Sequence, residues 1–436
     1  MIMTMIRPEA EMKESGVQWI GDIPSDWNTK PLYACLDEIN QKNNPVVTTN
    51  ILSLTNTDGV IPYSERGNQG NKSKENFEEY KVVYPNTIVA NSMNILIGSV
   101  GLSKYEGCVS PVYYVYMAKP QVDIRYMNYL FQMEPFQKRL RQFANGILEI
   151  RLRVSSHDIL HQKVAVPAYD EQQVIADYLD ETCSKIDEII AEAKASIDEY
   201  KELKQSVIFE AVTKGLDKNV EMKDSGNLAI GKIPKHWVKA RVKNVATRIT
   251  VGVVVTPANY FDDAGTVAFL RGINVKEYVI NSEPMMYITE ETNKELSKTI
   301  VHTNDLVIVR DGAIGVTAVV PEKYDGANVV SMIIVSLGSE YNHDYLCYVL
   351  NSYVGKIQFN LTKIGSALSH TSVSSVSNIE IPKPSINEQI DIVNYLKEQH
   401  KKLNSLIAEK ESLINDLEAY KKSLIYEVVT GKRRVV

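Results

Sequence analysis

Two passages of this 436-residue chain occur twice, in the same order, and that repetition limits its possible folds more than any other feature. Residues 11–27, EMKESGVQWIGDIPSDW, match residues 221–237, EMKDSGNLAIGKIPKHW, at ten of 17 positions without a gap. Residues 171–213 match residues 388–430 at 17 of 43 positions, also without a gap. The shared points include Glu171-Gln172 with Glu388-Gln389, Tyr178-Leu179 with Tyr395-Leu396, and Ile190-Ala191-Glu192 with Ile407-Ala408-Glu409. The chain therefore reads as module, helix, module, helix. In the first repeat, Gly21 and Gly231 permit a positive φ and Pro24 and Pro234 fix their own, which suits a turn. Trp27 and Trp237 are expected to anchor each module at its entrance.

The second repeat predicts two long helices. Apolar or small residues recur at Ile175, Leu179, Thr182, Ile186, Ile189, Ala193, Ser196, Tyr200, Leu203 and Val207. In the later copy they recur at Ile392, Leu396, Leu403, Leu406, Leu413, Leu417, Tyr420 and Leu424. Steps of three and four mark a coiled-coil seam, and neither segment contains an internal Gly or Pro. About 43 residues of helix extend about 65 Å. Such a helix cannot bury its stripe alone, so the two are expected to pack on each other, antiparallel, with a pseudo-twofold relation between the repeats. Gln399 and Lys410 on the seam are candidates for fixing its register. The modules read as mixed α/β (α+β). Short β-rich runs fall at residues 50–54, 87–90, 112–117, 267–270, 306–309 and 329–336, and helical patterns at 124–143 and 344–359. The expected boundaries are 1–168 and 217–384 for the modules, and 169–216 and 385–436 for the helices.

Composition excludes several classes. An apolar fraction of 44% and a charged fraction of 23% belong to a globular chain. Cys35, Cys108, Cys183 and Cys347 form no CxxC pair, which suits a reducing cytoplasm and no zinc ribbon. No apolar leader core and no membrane span are read, so a cytoplasmic location without membrane contact is expected. The sequence has no GxxxxGK[ST] loop, no [DNS]PP[YF] tetrapeptide and no GxGxxG after a strand, so no catalytic centre is expected. His157 and His161 lack the intervening Glu of a zinc protease, and a surface pair is the expected reading. Asp187 with Glu192 and Lys194 faintly resembles a nuclease D…ExK on a helix face where such charges are ordinarily solvated.

The net charge of −6 would argue against a nucleic-acid partner if it were evenly spread. Residues 171–216 alone hold 11 acidic and five basic residues, so the remainder is neutral and carries basic runs. Loop residues of the types that pair with bases and phosphates gather in the modules. The candidate DNA contacts are Arg66, Asn68, Lys72, Lys74, Asn91, Asn94, Arg151 and Arg153 in the first module. In the second they are Arg271, Asn274, Arg310 and Thr371. Asn91-Ser92-Met93-Asn94 sits where Arg310-Asp311 sits in the other module, and residues 369–372 are the counterpart of the Arg151–Arg153 pair.

Three features together resemble the specificity subunits of type I restriction–modification systems. They are the KxSGxxxxGxIPxxW entrance at residues 13–27 and 223–237, the [VI]P…EQ…I…YL helix starts at 167–179 and 382–396, and the two-module order. The resemblance spans nearly the whole chain. It implies two target recognition domains that each read half of a bipartite, asymmetric double-stranded DNA site. It also implies spacer helices, with Leu179, Ile186, Tyr200, Leu396, Leu403 and Leu417 on them, that dock two methyltransferase subunits, to which restriction (translocase) subunits add. The chain itself would bind no cofactor; S-adenosylmethionine, ATP and Mg would belong to the partners. Helices of about 65 Å would cap the half-site separation at roughly 19 base pairs. The alternatives are a coiled-coil scaffold without DNA specificity and a stand-alone nuclease or methyltransferase.

Overall fold

In the computed structural model, residues 4–55, 59–66, 76–144, 152–362 and 370–435 are described. The chain divides into two compact units, Met1–Ala193 with Ser412–Val436, and Lys194–Glu411.

Each unit is built round a four-stranded antiparallel sheet of the same order. In the first unit the strands run Val100–Leu102, Ile88–Asn91, Tyr113–Ala118, Leu36–Glu38. In the second they run Thr317–Val319, Leu306–Val309, Met332–Leu337, Ala246–Val251. One central strand of each sheet, Ile88–Asn91 and Leu306–Val309, is buried along its whole length, as a largely apolar run allows. A broken pair of helices follows in both units, Ile124–Gln132 with Glu134–Arg141, and His343–Asn351 with Tyr353–Leu361. Pro135 ends one continuous helical pattern, and Ser352 leaves the other to cap the next helix through Val354 N–H. Each unit then pairs a strand after the entrance Trp with the strand before the long helix, Asn28–Pro31 with Lys163–Val166, and Val238–Arg241 with Glu380–Lys383. The duplication therefore extends through the middle of each module, where the sequences scarcely match.

The long helices are Tyr169–Lys214 and Ile386–Val429, about 69 and about 66 Å at 1.5 Å per residue. They pair antiparallel. In the second unit Lys204 Nζ donates to Asn404 Oδ1 at 3.0 Å, and in the first Lys421 Nζ donates to both Asp187 carboxylate oxygens at 2.7 Å. These two contacts join equivalent positions, because the repeat maps Asp187 onto Asn404 and Lys204 onto Lys421. They mark the register; Gln399 and Lys410, the residues expected to do so, are half-buried with no such bond among the described residues. Leu179, Ile186, Leu396 and Leu403 are buried, and Tyr200 and Leu417 half-buried, on the packed faces. Ile189, Leu203, Leu406, Leu413 and Tyr420 are a correction. Each is between 38% and 49% exposed, while Ile190, Ile197 and Ile414 are buried in their place. Each helix carries two apolar stripes, and a count of three-four steps merges them.

The repeated motifs hold each module to the helices. Trp27 Nε1 donates to Glu171 Oε2 at 2.9 Å, and Trp237 Nε1 to Glu388 Oε1 at 3.0 Å. Both indoles are 1% exposed. The adjacent glutamines clamp the broken helix pair. Gln172 Oε1 accepts from Asp123 N–H at 2.9 Å and Gln389 Oε1 from Asn342 N–H at 2.7 Å, while their amides donate to the carbonyls of Pro167 and Pro384 at 3.0 Å. The far end of the other long helix meets the same anchor. Gly215 and Gly431 end the helices at φ of 74° and 73°, and a Cβ on Gly431 would lie 2.4 Å from the Pro24 ring. Tyr126 Oη donates to the Val429 carbonyl and Tyr345 Oη to that of Val212, each at 2.9 Å.

One seam position responds to pH. His400 packs among Tyr278, Tyr348 and Lys204, with ring centroids 4.8 Å from Tyr278 and 5.3 Å from Tyr348. Burial first, then the Lys204 charge, push its imidazole down to about 4. The unfolded chain protonates this group below about 6.5 and the folded one only near 4. Folding stability is therefore lost as pH falls through that window. Screening by solvent reduces the effect to about 1–2 kcal/mol. Urea titrations at pH 7 and pH 4.5 should show this slope reduced in His400→Phe; an unchanged slope would place the acid sensitivity elsewhere.

Candidate nucleic-acid interface

Strand ends in each module bring several of the candidate residues together. In the second unit the central strand ends at Val309, and Arg310 and Asp311 follow. The returning segment lies against them: Thr371 N–H donates to the Arg310 carbonyl at 3.1 Å, and Asp311 pairs with His370 as an isolated antiparallel bridge. Ser331, held at φ 48°, donates its hydroxyl to Asp311 Oδ2 at 2.7 Å. Arg271 arrives at the end of the strand Val267–Leu270, whose Leu270 carbonyl accepts from Val330 N–H at 2.8 Å. Gly272 backs onto Val309, where a Cβ would stand 3.4 Å from the valine Cγ1. Four separate segments thus supply Arg271, Arg310, Asp311, Ser331 and His370 to one end of the module.

The first unit repeats this frame with other side chains. Val154 N–H donates to the Ser92 carbonyl at 3.2 Å, which is the Thr371–Arg310 bond in its equivalent place. Arg153 accordingly corresponds to His370, and Ser92 and Met93 to Arg310 and Asp311. A short helix follows in both, capped by Ser155 through Asp158 N–H and by Ser372 through Ser375 N–H. Arg153 is exposed, and its guanidinium touches Met93 Sδ at 3.8 Å. Asn94 is exposed on the adjoining turn.

Other candidates are tied to the fold itself. Asn274 is fully buried, accepts from Arg271 N–H at 3.0 Å and donates to the Pro284 carbonyl at 3.1 Å. Its amide shapes a turn, so the expectation that it meets DNA is corrected. Asn91, 6% exposed, likewise accepts from Met93 N–H in a tight local turn. Thr371 is fully buried, with its hydroxyl unpaired among the described residues. None of these three side chains offers an edge to a base. Arg271 is partly committed, donating to the Pro284 carbonyl at 2.9 Å. Arg66 lies over the Tyr63 ring at 4.8 Å and reaches the Ser53 hydroxyl at 3.5 Å. Arg310 is half-buried and makes no side-chain hydrogen bond or ion pair to another described residue. Asn68, Lys72, Lys74 and Arg151 lie outside the described residues. Ser331, which donates to Asp311, is the residue at this strand end that reasoning from loop composition missed. Asp311 and His370 stood beside chosen residues in the sequence, whereas nothing local marks Ser331.

Two other features singled out in the sequence are structural. His157 and His161 stack at 3.9 Å, with His161 Nδ1 2.7 Å from the His157 carbonyl oxygen. Asp187 is held in the ion pair with Lys421. Among the described residues no helix is long and apolar enough to cross a membrane.

Comparison with known proteins agrees with this layout. The model of the type I restriction modification DNA specificity domain matches residues 24–199 and again 234–416. The chain is 22% identical over 430 residues to the type I restriction enzyme MjaVIII specificity subunit of Methanocaldococcus jannaschii, covering 95% of this chain and 94% of that one. It is 24% identical over 254 residues to the EcoBI specificity subunit of Escherichia coli, a match spanning 55% of this chain and about half, 52%, of the other. In fold it resembles a chain from a study of complex assembly and conformational transition of the type I R-M system, with a TM-score of 0.73 at 13% identity over 94% of this chain and 99% of that one. The HsdS subunit from Thermoanaerobacter tengcongensis gives 0.53 at 14% identity over 94% and 98%.

Proposed function

The chain belongs to the type I restriction modification DNA specificity family, and from that premise we propose that it is the DNA-reading subunit of such a complex. Each module reads one half of a bipartite, asymmetric duplex site. The observation that carries this reading is the pair of matching strand-end frames, which keep one backbone bond, Val154 N–H to the Ser92 carbonyl and Thr371 N–H to the Arg310 carbonyl, while Ser92, Met93 and Arg153 stand where Arg310, Asp311 and His370 stand in the other. A constant frame with changed side chains is what two readers of different sequences need, because phosphate contacts position a protein while base-edge contacts specify.

The same reading gives the long helices a second task. Their outer stripes hold exposed Ile189 and Leu406 at one pair of equivalent positions, and Leu203 and Tyr420 at another. Apolar side chains at matched places on both helices suit two copies of one partner, the methyltransferase subunit, with restriction subunits added to them. The chain contributes no catalytic group in this account. S-adenosylmethionine, ATP and Mg act on those partners.

The test is to express the chain with its methyltransferase subunits and map methylation and footprints on random duplex DNA. One two-part sequence should be both protected and methylated. Protection of no defined sequence would make the protein a scaffold and end this proposal.

A further inference from the structure

We infer that Arg310 and Asp311 together read a single guanine–cytosine pair in the second module's half-site. This rests on the family-based reading above and assigns it to particular side chains. Arg310 is half-buried, and its guanidinium has no hydrogen-bond or ion-pair partner among the described residues. Its N–H donors are thus unused among those residues and available to an incoming acceptor. Its backbone is fixed, since its carbonyl accepts from Thr371 N–H at 3.1 Å and the next residue is bridged to His370. The side chain is therefore presented from a rigid strand end, as precise readout requires.

Asp311 decides between base and phosphate. Its carboxylate accepts from the Ser331 hydroxyl at 2.7 Å through Oδ2, which fixes its orientation and leaves Oδ1 acceptor capacity. An acidic residue adjoining Arg310 in the chain disfavours an approaching phosphate, so this strand end is poorly suited to backbone contact. It complements a base pair instead. Guanine presents O6 and N7 as two acceptors, which a guanidinium meets with two donors, and the paired cytosine presents its N4 amino group, which a carboxylate accepts. The first module has no acid at this place, since Met93 occupies it and Arg153 comes from the opposite segment. The two modules are thus expected to differ in what they read here.

The experiment is methylation mapping of the complex assembled with its methyltransferase subunits, comparing the parent with Arg310→Ala, Arg310→Lys and Asp311→Asn. Arg310→Ala should lower discrimination at one guanine–cytosine position of one half-site by roughly 10- to 100-fold, leaving the other half-site as it was. Arg310→Lys keeps the charge and the aliphatic stem but not the fork, so it should relax the same position. Asp311→Asn should relax it too, by admitting a donor. Loss of equal size on every sequence would make Arg310 a phosphate contact, and unchanged specificity in all three variants would remove both residues from readout. Either result overturns the inference while the parent still selects a bipartite site. Absence of any selected site in the parent would overturn the family-based reading instead.

Discussion

Trp237→Ala should lower the stability of the second unit by about 3–5 kcal/mol, the range for emptying the place of a large buried aromatic side chain. The indole is 1% exposed and belongs to a core cluster that includes Ile208, Ala211, Ile233 and Leu396. Its removal also uncovers the close contact at the helix end, where Gly215 was placed to let the ring in. Part of the loss comes from the hydrogen bond to Glu388. Burial raises that carboxyl's pKa, but bonds from His236, Trp237 and Ser385 outweigh it and hold the group at about 2. Trp237→Phe keeps most of the apolar volume and deletes the donor, so it should cost only about 1–2 kcal/mol. Urea unfolding followed by circular dichroism separates the two. Equal losses for Ala and Phe would assign the effect to the hydrogen bond rather than to packing. Trp27→Ala should act likewise on the first unit, where the same indole-to-glutamate bond recurs.

These anchors were legible in the sequence because both ends of the contact are repeated. A Trp and a Glu that recur about 150 residues apart in both copies are a contact seen twice. The strand at Leu306–Val309 was equally readable, since continuous burial demands a continuous apolar run. The seam was less so. Leu406, Leu413 and Tyr420 repeat every seven residues, as a seam does, and only the three-dimensional packing shows that Leu403, Ile414 and Leu424 are the buried set. Site residues were hardest. Asn274 has the composition of a base reader, but the polar groups of a tight turn need satisfying first, and its amide is used there. An amide that shapes a turn and one that reads adenine are the same side chain, and only burial distinguishes them.

A comparison of the two copies at a polar position exposes a feature that neither copy shows alone, and it should yield a large effect. In the first unit Arg125 on the broken helix pair donates to Asp180 on the long helix at 3.0 Å, with Asp177 at 2.6 Å and Asp123 at 2.9 Å. In the second unit the equivalent contact has its charges exchanged, Asp344 accepting from Lys397 at 2.6 Å. Hydrogen bonds, that to Asp123 foremost, raise the Arg125 pKa despite partial burial, so the guanidinium is firmly charged. Asp180→Lys sets a cation against it and also removes the acceptor of Tyr129 Oη, 2.7 Å away. The loss should be about 2–3 kcal/mol, above the range of an ordinary surface pair because the arginine serves three carboxylates. Adding Arg125→Asp recreates the second unit's polarity and should return about 1 kcal/mol or more, a coupling that a double-mutant cycle measures directly. Simple addition of the two losses would show that the pairs are independent surface charges. A measured coupling would mean that the copies diverged in opposite polarity at this joint. A first-type module on a second-type helix would then bring Arg125 against Lys397, and a second-type module on a first-type helix Asp344 against Asp180. Repulsion in both wrong pairings disfavours misdocking between repeats that otherwise share their anchors.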